Sequence, residues 1–481
     1  MNLREQLERA TASAEGPGQE SPASAARRAL VVLALGVLVT FGLGPTGGWR
    51  STGELLGALA TNVLVLAGMG VVLRALCRDI YASRRAFALL ALELALVIVV
   101  AGAALRIHPA APELVPIALV GVVTSALFDR RVSLATVVFL AALLATQPAL
   151  RDTPAFPVLL AAGGVAAFVV RPTSQRDQSY VWMLVIAVAT ALAIVGAGVA
   201  SGMSWPAIAA ALARGAGTTI VSVIGAMLLM PFAESFTGRQ THLTLLEWGD
   251  LNRPLLQRLS LEAPGTYAHT IAIANLAEAA ARAIGANALL ARVGAYYHDI
   301  GKLAKPQYFV ENQPRGRNLH DKLKPHTSAT IIRNHVRDGL AFAEGEHVPA
   351  SIRAFIAEHH GTGTISYFLE KAREREGQVA NPADYAYAGP IPQTAETAIV
   401  MLADAVEAAT RALADPTPER IREVIELMVH QRLEQGQLRD APLTLRELTL
   451  VKDEFARVLG GMYHGRVDYP ASTPTIQAAV S

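Results

Sequence analysis

Lysine is nearly missing from this chain: six occur, none before Lys302, so most of its 42 basic residues are arginines. Cysteine is reduced to Cys77, which excludes an intrachain disulfide and any thiolate-rich metal cluster. Neither sign of charge dominates. A net charge of +2 over 481 residues provides no field for holding a nucleic-acid polymer or steering an acidic substrate. From Ala29 to Ala233 charge of either sign is scarce, and Ala, Leu, Val and Gly prevail. The first 28 residues are polar, and Arg27-Arg28 abut the first apolar run with no small-residue cleavage pattern after it, so no cleaved signal is expected.

What is present instead is a series of eight apolar runs, at 29–44, 55–73, 86–105, 112–128, 132–148, 155–170, 180–200 and 214–233. Each is read as a membrane helix, although several fall short of the roughly 20 residues that span a bilayer. The arginines support the count. With residues 1–28 inside, the inner segments carry Arg4, Arg9, Arg27, Arg28, Arg74, Arg78, Arg84, Arg85, Arg130, Arg131, Arg171 and Arg176, against Arg50, Arg106, Arg151 and Arg214 outside. Twelve against four is the bias of cytoplasmic loops, and an even number of spans places the following soluble half in the cytoplasm. Inside the runs, Glu93 must face the bundle interior, pair or stay protonated, with Asn62 as a hydrogen-bond partner from another span. It reads either as a relay or as helix–helix glue. One such residue argues against a transporter, whose pathway needs a chain of them.

From Glu234 onward the charge density is that of a soluble protein, and apolar residues recur at helical spacing. Helices are expected at 270–285, 287–303, 328–343, 349–361, 394–413, 417–433 and 445–460, with loops at 304–325 and 376–393. No alternating run is long enough for a sheet. The expected fold class is all-α: a polytopic helical bundle at 29–233, after a cytoplasmic segment 1–28, and an all-helical domain at 234–470. The Ala/Ser/Thr/Pro-rich tail 471–481 is expected to be disordered.

Eight of the twelve histidines fall between His269 and His360, as the ligands of a metal site shared by several helices would. The elements are His269 in GTYAHT, His298-Asp299 in YYHDIGK, His359-His360 in AEHHGTG and Asp404 in MLADAVEA. Each stands in an apolar or small-residue helix where an unpaired charge is costly. VMLADAVEAA offers Asp404 no local cation, so a metal is the natural partner. Nitrogen and oxygen ligands without sulfur suit Fe, Mn or Zn. His320-Asp321, in the basic stretch RGRNLHDKLKP, serves as a control and reads as solvated or as a structural turn. His242, His347, His430 and His464 read as ordinary surface or core residues.

The order H…HD…H…HH…D resembles the HD-domain metal-dependent phosphohydrolases. The closer resemblance is to the membrane-anchored seven-transmembrane HD-domain proteins that hydrolyse cyclic di-AMP. It is carried by DLNRPLLQRLSLEAPGTYAHT (250–270), LLARVGAYYHDIGK (289–302), FVENQ (309–313), NHVRDG (334–339), EHHGTG (358–363), GPIPQTAETAIVMLADAVEAA (389–409) and DYP (468–470). The resemblance implies a centre of two divalent transition-metal ions, Fe or Mn being the expected choices. His269, His298, Asp299 and Asp404 would hold one; His335, His359, His360 and the shared Asp299 the other. His326, at a helix start after Pro325, competes with His335 for the third histidine position, or serves on the substrate side. Two such ions activate a hydroxide for in-line displacement on a phosphodiester. Lys302, one turn beyond His298, either meets a phosphate oxygen or is a solvated lysine at a helix end. The implied partners are a cyclic dinucleotide and the lipid bilayer, a homodimer being admitted, and the implied location is a bacterial cell membrane.

Two departures from that family stand out. The loop at PTGGWRSTGE (45–54) is ten residues where members commonly carry a large extracellular domain, and Ala268 replaces a frequent second histidine. Rival substrates fit less well. A cyclic di-GMP enzyme would show GYP after HHG, where this chain has HHGTGTISYF, and a (p)ppGpp hydrolase would carry acidic residues where IGK follows HD. A receptor that binds nucleotide without turnover is the reading from another class, and the complete ligand set argues against it.

Overall fold

The computed structural model describes residues 22–170, 178–314, 318–376 and 380–463. Residues 1–21, Arg171, Arg176, the DYP at 468–470 and the tail 471–481 lie outside them. Contacts divide the chain into two compact units after Thr241. The sequence put this boundary at 233/234; the last helix of the first unit continues to Thr237 before ending on Gly238, whose φ of 73° suits glycine at a helix end.

In the first unit, helices stand at all eight apolar runs: α1 (Pro22–Gly42), α2 (Thr52–Leu76), α3 (Arg84–Ile107), α4 (Ile117–Leu127), α5 (Arg130–Ala145), α6 (Ala155–Val169), α7 (Gln178–Ala200) and α8 (Trp205–Thr237). Among the described residues five of these, α1, α2, α3, α7 and α8, are long and apolar enough to cross a membrane, while α4, α5 and α6 are shorter, as the shorter runs anticipate. At 1.5 Å per residue, α4 is about 16 Å long, roughly half a hydrocarbon core. Apolarity alone cannot tell a spanning helix from one buried in protein, and α4 is buried nearly all round, from Ile117 through Thr124.

Polar pairing inside the unit also differs from expectation. Asn62 does not meet Glu93. Its amide donates to Thr40 Oγ1 at 2.9 Å and its carbonyl accepts from Gln147 Nε2 at 2.9 Å, tying α1, α2 and the end of α5 together. Glu93 is buried, and neither of its carboxyl oxygens has a hydrogen-bond partner among the described residues. Arg214 lies within α8 rather than in a loop and pairs with Glu113 at 2.6 Å.

The second unit comprises α9 (His242–Trp248), α10 (Pro254–Glu262), α11 (Pro264–Ala283), α12 (Ala288–Tyr297), α13 (Pro325–Gly345), α14 (Ala350–Glu358), α15 (Ser366–Glu376), α16 (Ala395–Arg411), α17 (Pro418–Glu434) and α18 (Leu445–Tyr463). Among the described residues no strand forms; Thr364 and Ala386 make an isolated bridge. Helix starts follow capping chemistry. Asn287 accepts from Leu290 N ahead of α12, and Thr394 and Thr397 form a reciprocal cap on α16. Tyr297, Phe355 and Phe455 are fully buried in the core these helices share.

Two glycines set the spacing around the HD turn. At Gly294 of α12 a Cβ would collide with the Phe355 ring, and at Gly301 with the His335 carbonyl of α13. The 3₁₀ turn Ile300–Ala304 therefore lies directly against the α13 backbone. We expect Gly301→Ala to destabilise the unit by about 1–3 kcal/mol or more through overpacking. Gly345→Ala, at a position with open space, should change little. Unfolding midpoints of the two variants check this; equal midpoints would contradict the close approach.

Candidate metal centre

The helices of the second unit deliver seven side chains to one buried point. His269 lies in α11, His298 caps the C-terminus of α12, and Asp299 opens the 3₁₀ turn. His335 comes from α13, His359 caps α14, His360 follows it, and Asp404 comes from α16. Asp299 is 2% exposed and stands at the centre. Its Oδ1 lies 3.4 Å from His335 Nε2 and 3.7 Å from His359 Nε2. Its Oδ2 lies 3.2 Å from His298 Nε2 and 3.7 Å from His269 Nε2. One carboxylate thus presents a different oxygen to each of two histidine groups. Asp404 Oδ1 is 3.0 Å from His269 Nε2, and its Oδ2 is 3.8 Å from His360 Nδ1.

The rings are aimed by their other nitrogens. His298 Nδ1 lies 2.7 Å from the Ala295 carbonyl, His335 Nδ1 2.5 Å from that of Ile332, and His359 Nδ1 3.0 Å from that of Phe355. A carbonyl only accepts, so Nδ1 carries the proton and Nε2 keeps its lone pair toward the centre. His269 is held differently: its Nδ1 donates to Glu407 Oε2 at 2.6 Å. His360 stacks on Tyr387 with ring centroids 4.2 Å apart.

Protonation follows from this arrangement. Burial and neighbouring imidazoles keep His359 neutral, pushing it down to about 3, and depress His335 and His360 in the same sense. Burial opposes charge on His269 as well, but the carboxylates of Asp404 and Glu407 outweigh it and raise the ring to about 9. Asp299 also works against burial, and Lys302 with His298 and His335 holds it ionised well below the usual carboxylate range. Asp404 is likewise depressed against burial, by His269. Neutral rings at His335, His359 and His360 beside the ionised Asp299 and Asp404 are the protonation states that metal ions require, and His269 reaches the same state by releasing one proton to an incoming ion. His298 Nε2 and Asp299 Oδ1 are buried without a hydrogen-bond partner among the described residues, as ligand atoms facing a cation would be. The donor set fits divalent ions in three overlapping groups: His269–His298–Asp404, His298–Asp299–His359 and His335–His359–His360.

Of the residues singled out from sequence, His326 stays out of this convergence. It is exposed on α13, edge-on to Tyr385, while His335 enters the cluster. Lys302 is not solvated: its Nζ lies 2.7 Å from both Asp299 Oδ2 and Glu311 Oε1, and these anions raise it above the usual lysine value against burial. His320 is buried rather than solvated, with Nε2 2.8 Å from the Tyr308 carbonyl, which makes it structural; Asp321 is exposed. Sequence reasoning missed Glu407, Glu311 and Tyr387. Glu407 was legible in principle, lying one helical turn from Asp404 and so on the same face.

The two sets of histidines give the metal-free chain a pH signature. His269 is raised, so its contribution to stability is full below pH 6.5 and is lost as pH rises through about 9. His335, His359 and His360 are depressed, so theirs is full above pH 6.5 and is lost as pH falls, by about 1.4 kcal/mol per unit for each ring. The unfolding midpoint of the metal-stripped chain should therefore peak near pH 6.5, with the steeper limb on the acid side. A flat midpoint from pH 5 to 9.5 would contradict these protonation states.

Two family models match the chain, one described as a 7TM receptor with intracellular HD hydrolase over residues 53–241 and one as an HD domain over residues 266–409. Cyclic-di-AMP phosphodiesterase PgpH of Bacillus subtilis is 42% identical over 257 residues, which is 53% of this chain and 36% of that protein. The Listeria monocytogenes protein of the same name is 43% identical over 258 residues, again 53% of this chain and 36% of the relative. The chain thus spans about a third of the length of the curated relatives it matches. The crystal structure of the L. monocytogenes PgpH HD domain is 45% identical, covers 44% of this chain and 100% of its own, and superposes with a TM-score of 0.43. The same domain is also known in complex with cyclic di-AMP.

Proposed function

We propose that the chain is a member of the seven-transmembrane receptors that carry an HD hydrolase domain, and that it is a membrane-bound, metal-dependent phosphodiesterase opening cyclic di-AMP to the linear dinucleotide. The observation that carries this reading is Asp299, with its two oxygens turned to two separate histidine groups. His269, His298, Asp299 and Asp404 would hold one ion, and His335, His359, His360 and Asp299 the other. Divalent ions, Fe or Mn by the character of the donors, would supply Lewis-acid stabilisation of the phosphodiester and lower the pKa of water.

The chain's own residues prepare that chemistry. His335, His359 and His360 offer lone pairs without first losing protons, whereas His269 gives up one proton when an ion binds, and burial keeps bulk water from competing for the carboxylates. Lys302 keeps Asp299 ionised and is the ammonium group that would meet a phosphate oxygen. His326, exposed outside the ligand cluster, would act at the substrate side if it takes part at all. In the reaction, water oxygen bonds to phosphorus, one P–O ester bond breaks, and the departing ribose oxygen gains a proton.

The test uses the full-length chain in detergent, loaded with Mn and offered a panel of nucleotides, with products separated by chromatography. Cyclic di-AMP should be consumed fastest and yield the linear dinucleotide; chelation should abolish turnover while the helical fold survives. Asp299→Ala should lose most of both ions, whereas His326→Ala should retain both. Preferential hydrolysis of cyclic di-GMP or (p)ppGpp would refute the substrate and leave the metal centre standing.

The arginine bias supports a topology with both termini in the cytoplasm. Reporter fusions at Trp49 and at the C-terminus should fall on opposite sides of the membrane; the same side for both would overturn that arrangement.

A further inference from the structure

The two halves of the metal centre are not chemically alike. Around Asp299 Oδ2 stand His269, His298 and the carboxylate of Asp404. Around Oδ1 stand His335 and His359, with His360 completing the group; Asp404 approaches it more distantly, its Oδ2 3.8 Å from His360 Nδ1 against 3.0 Å from its Oδ1 to His269 Nε2. The supports behind the rings differ as well. His298, His335 and His359 lean on backbone carbonyls, which are fixed dipoles. His269 alone leans on a carboxylate, Glu407, at 2.6 Å. Glu407 is buried, shares a face of α16 with Asp404, and is steadied from the helix's outer side by Arg411, whose Nη1 lies 3.6 Å from its Oε1. A carboxylate behind a ligating imidazole fixes the ring's tautomer and raises the basicity of the nitrogen that faces the ion, and its loss typically costs 10–100-fold in affinity.

We infer that Glu407 is a positioning residue that makes the two ion positions unequal, so that the position bounded by His269, His298 and Asp404 fills first and holds its ion more tightly than the one bounded by His335, His359 and His360. The inference rests on the two-ion reading of the site and adds an order of filling to it. The anionic side, with Asp404 in contact and Glu407 behind His269, attracts a divalent cation more strongly than a group of neutral rings that shares one carboxylate. The second position is then the exchangeable one.

Manganese alone, titrated into the metal-stripped full-length chain in detergent, reads this out by competition with a chelating dye and by electron paramagnetic resonance. At one equivalent the wild type should show an isolated, mononuclear manganese signal, replaced at two equivalents by a spin-coupled pair. Glu407→Ala should weaken the first affinity by about 10–100-fold and leave the second nearly unchanged, so that the mononuclear stage shrinks. Glu407→Gln keeps an acceptor for the His269 Nδ1 proton without the charge; it should weaken the first affinity less, and it carries the test if the alanine variant does not fold. A merely structural role would lower the unfolding midpoint without separating the two affinities. Equal loss at both positions, no loss at either, or a coupled signal from the first addition to wild type would overturn the inference. A wild-type chain that binds no manganese would overturn the two-ion reading and this one with it.

Discussion

A carboxylate buried to 2% exposure at the meeting of five helices cannot stay ionised without compensation, and the second unit is arranged around that requirement. Asp299 is met on one side by Lys302 at 2.7 Å and elsewhere by four imidazole nitrogens within 3.7 Å. Each of those nitrogens is turned toward Asp299 because the far side of its ring is already engaged. The helices α11, α12, α13, α14 and α16 have to end, start or pass at particular points for this to happen. Their caps, the small residues between them and the aromatic core are the means.

The second unit was largely legible in the sequence because its helices are amphipathic and separated by turn residues. The expected 417–433 is found as Pro418–Glu434 and the expected 394–413 as Ala395–Arg411. Helices α9, α10 and α15 and the 3₁₀ turns of 304–325 escaped, α15 because SYFLEKARERE has too little apolar periodicity to announce a buried face. At the centre, histidines and aspartates in apolar surroundings drew attention because such placement is costly. Glu407 sits in equally apolar surroundings, and its spacing within α16 puts it on the face of Asp404, but its partner is the ring that α11 brings opposite it.

The membrane half was legible in composition and less so in length. Apolar runs locate helices well, yet α4, α5 and α6 are shorter than the five long ones, and α4 spends its apolar surface on neighbours. Asn62 found Thr40 and Gln147 rather than Glu93, since a hydrogen-bonding side chain in an apolar medium takes the nearest complementary group, which the order of residues along the chain does not disclose. Glu93 is left buried with neither carboxyl oxygen hydrogen-bonded among the described residues.

The joint between the HD turn and α13 is made of backbone on both sides, Gly301 against His335 and Gly339. Such a joint has no rotamers, so it cannot absorb a small displacement the way a leucine interface does by re-packing. If α13 slides or tilts, the turn that carries Asp299 travels with the helix that carries His335. The spacing between the backbones that carry Asp299 and His335 is therefore set by direct contact and not by side-chain packing.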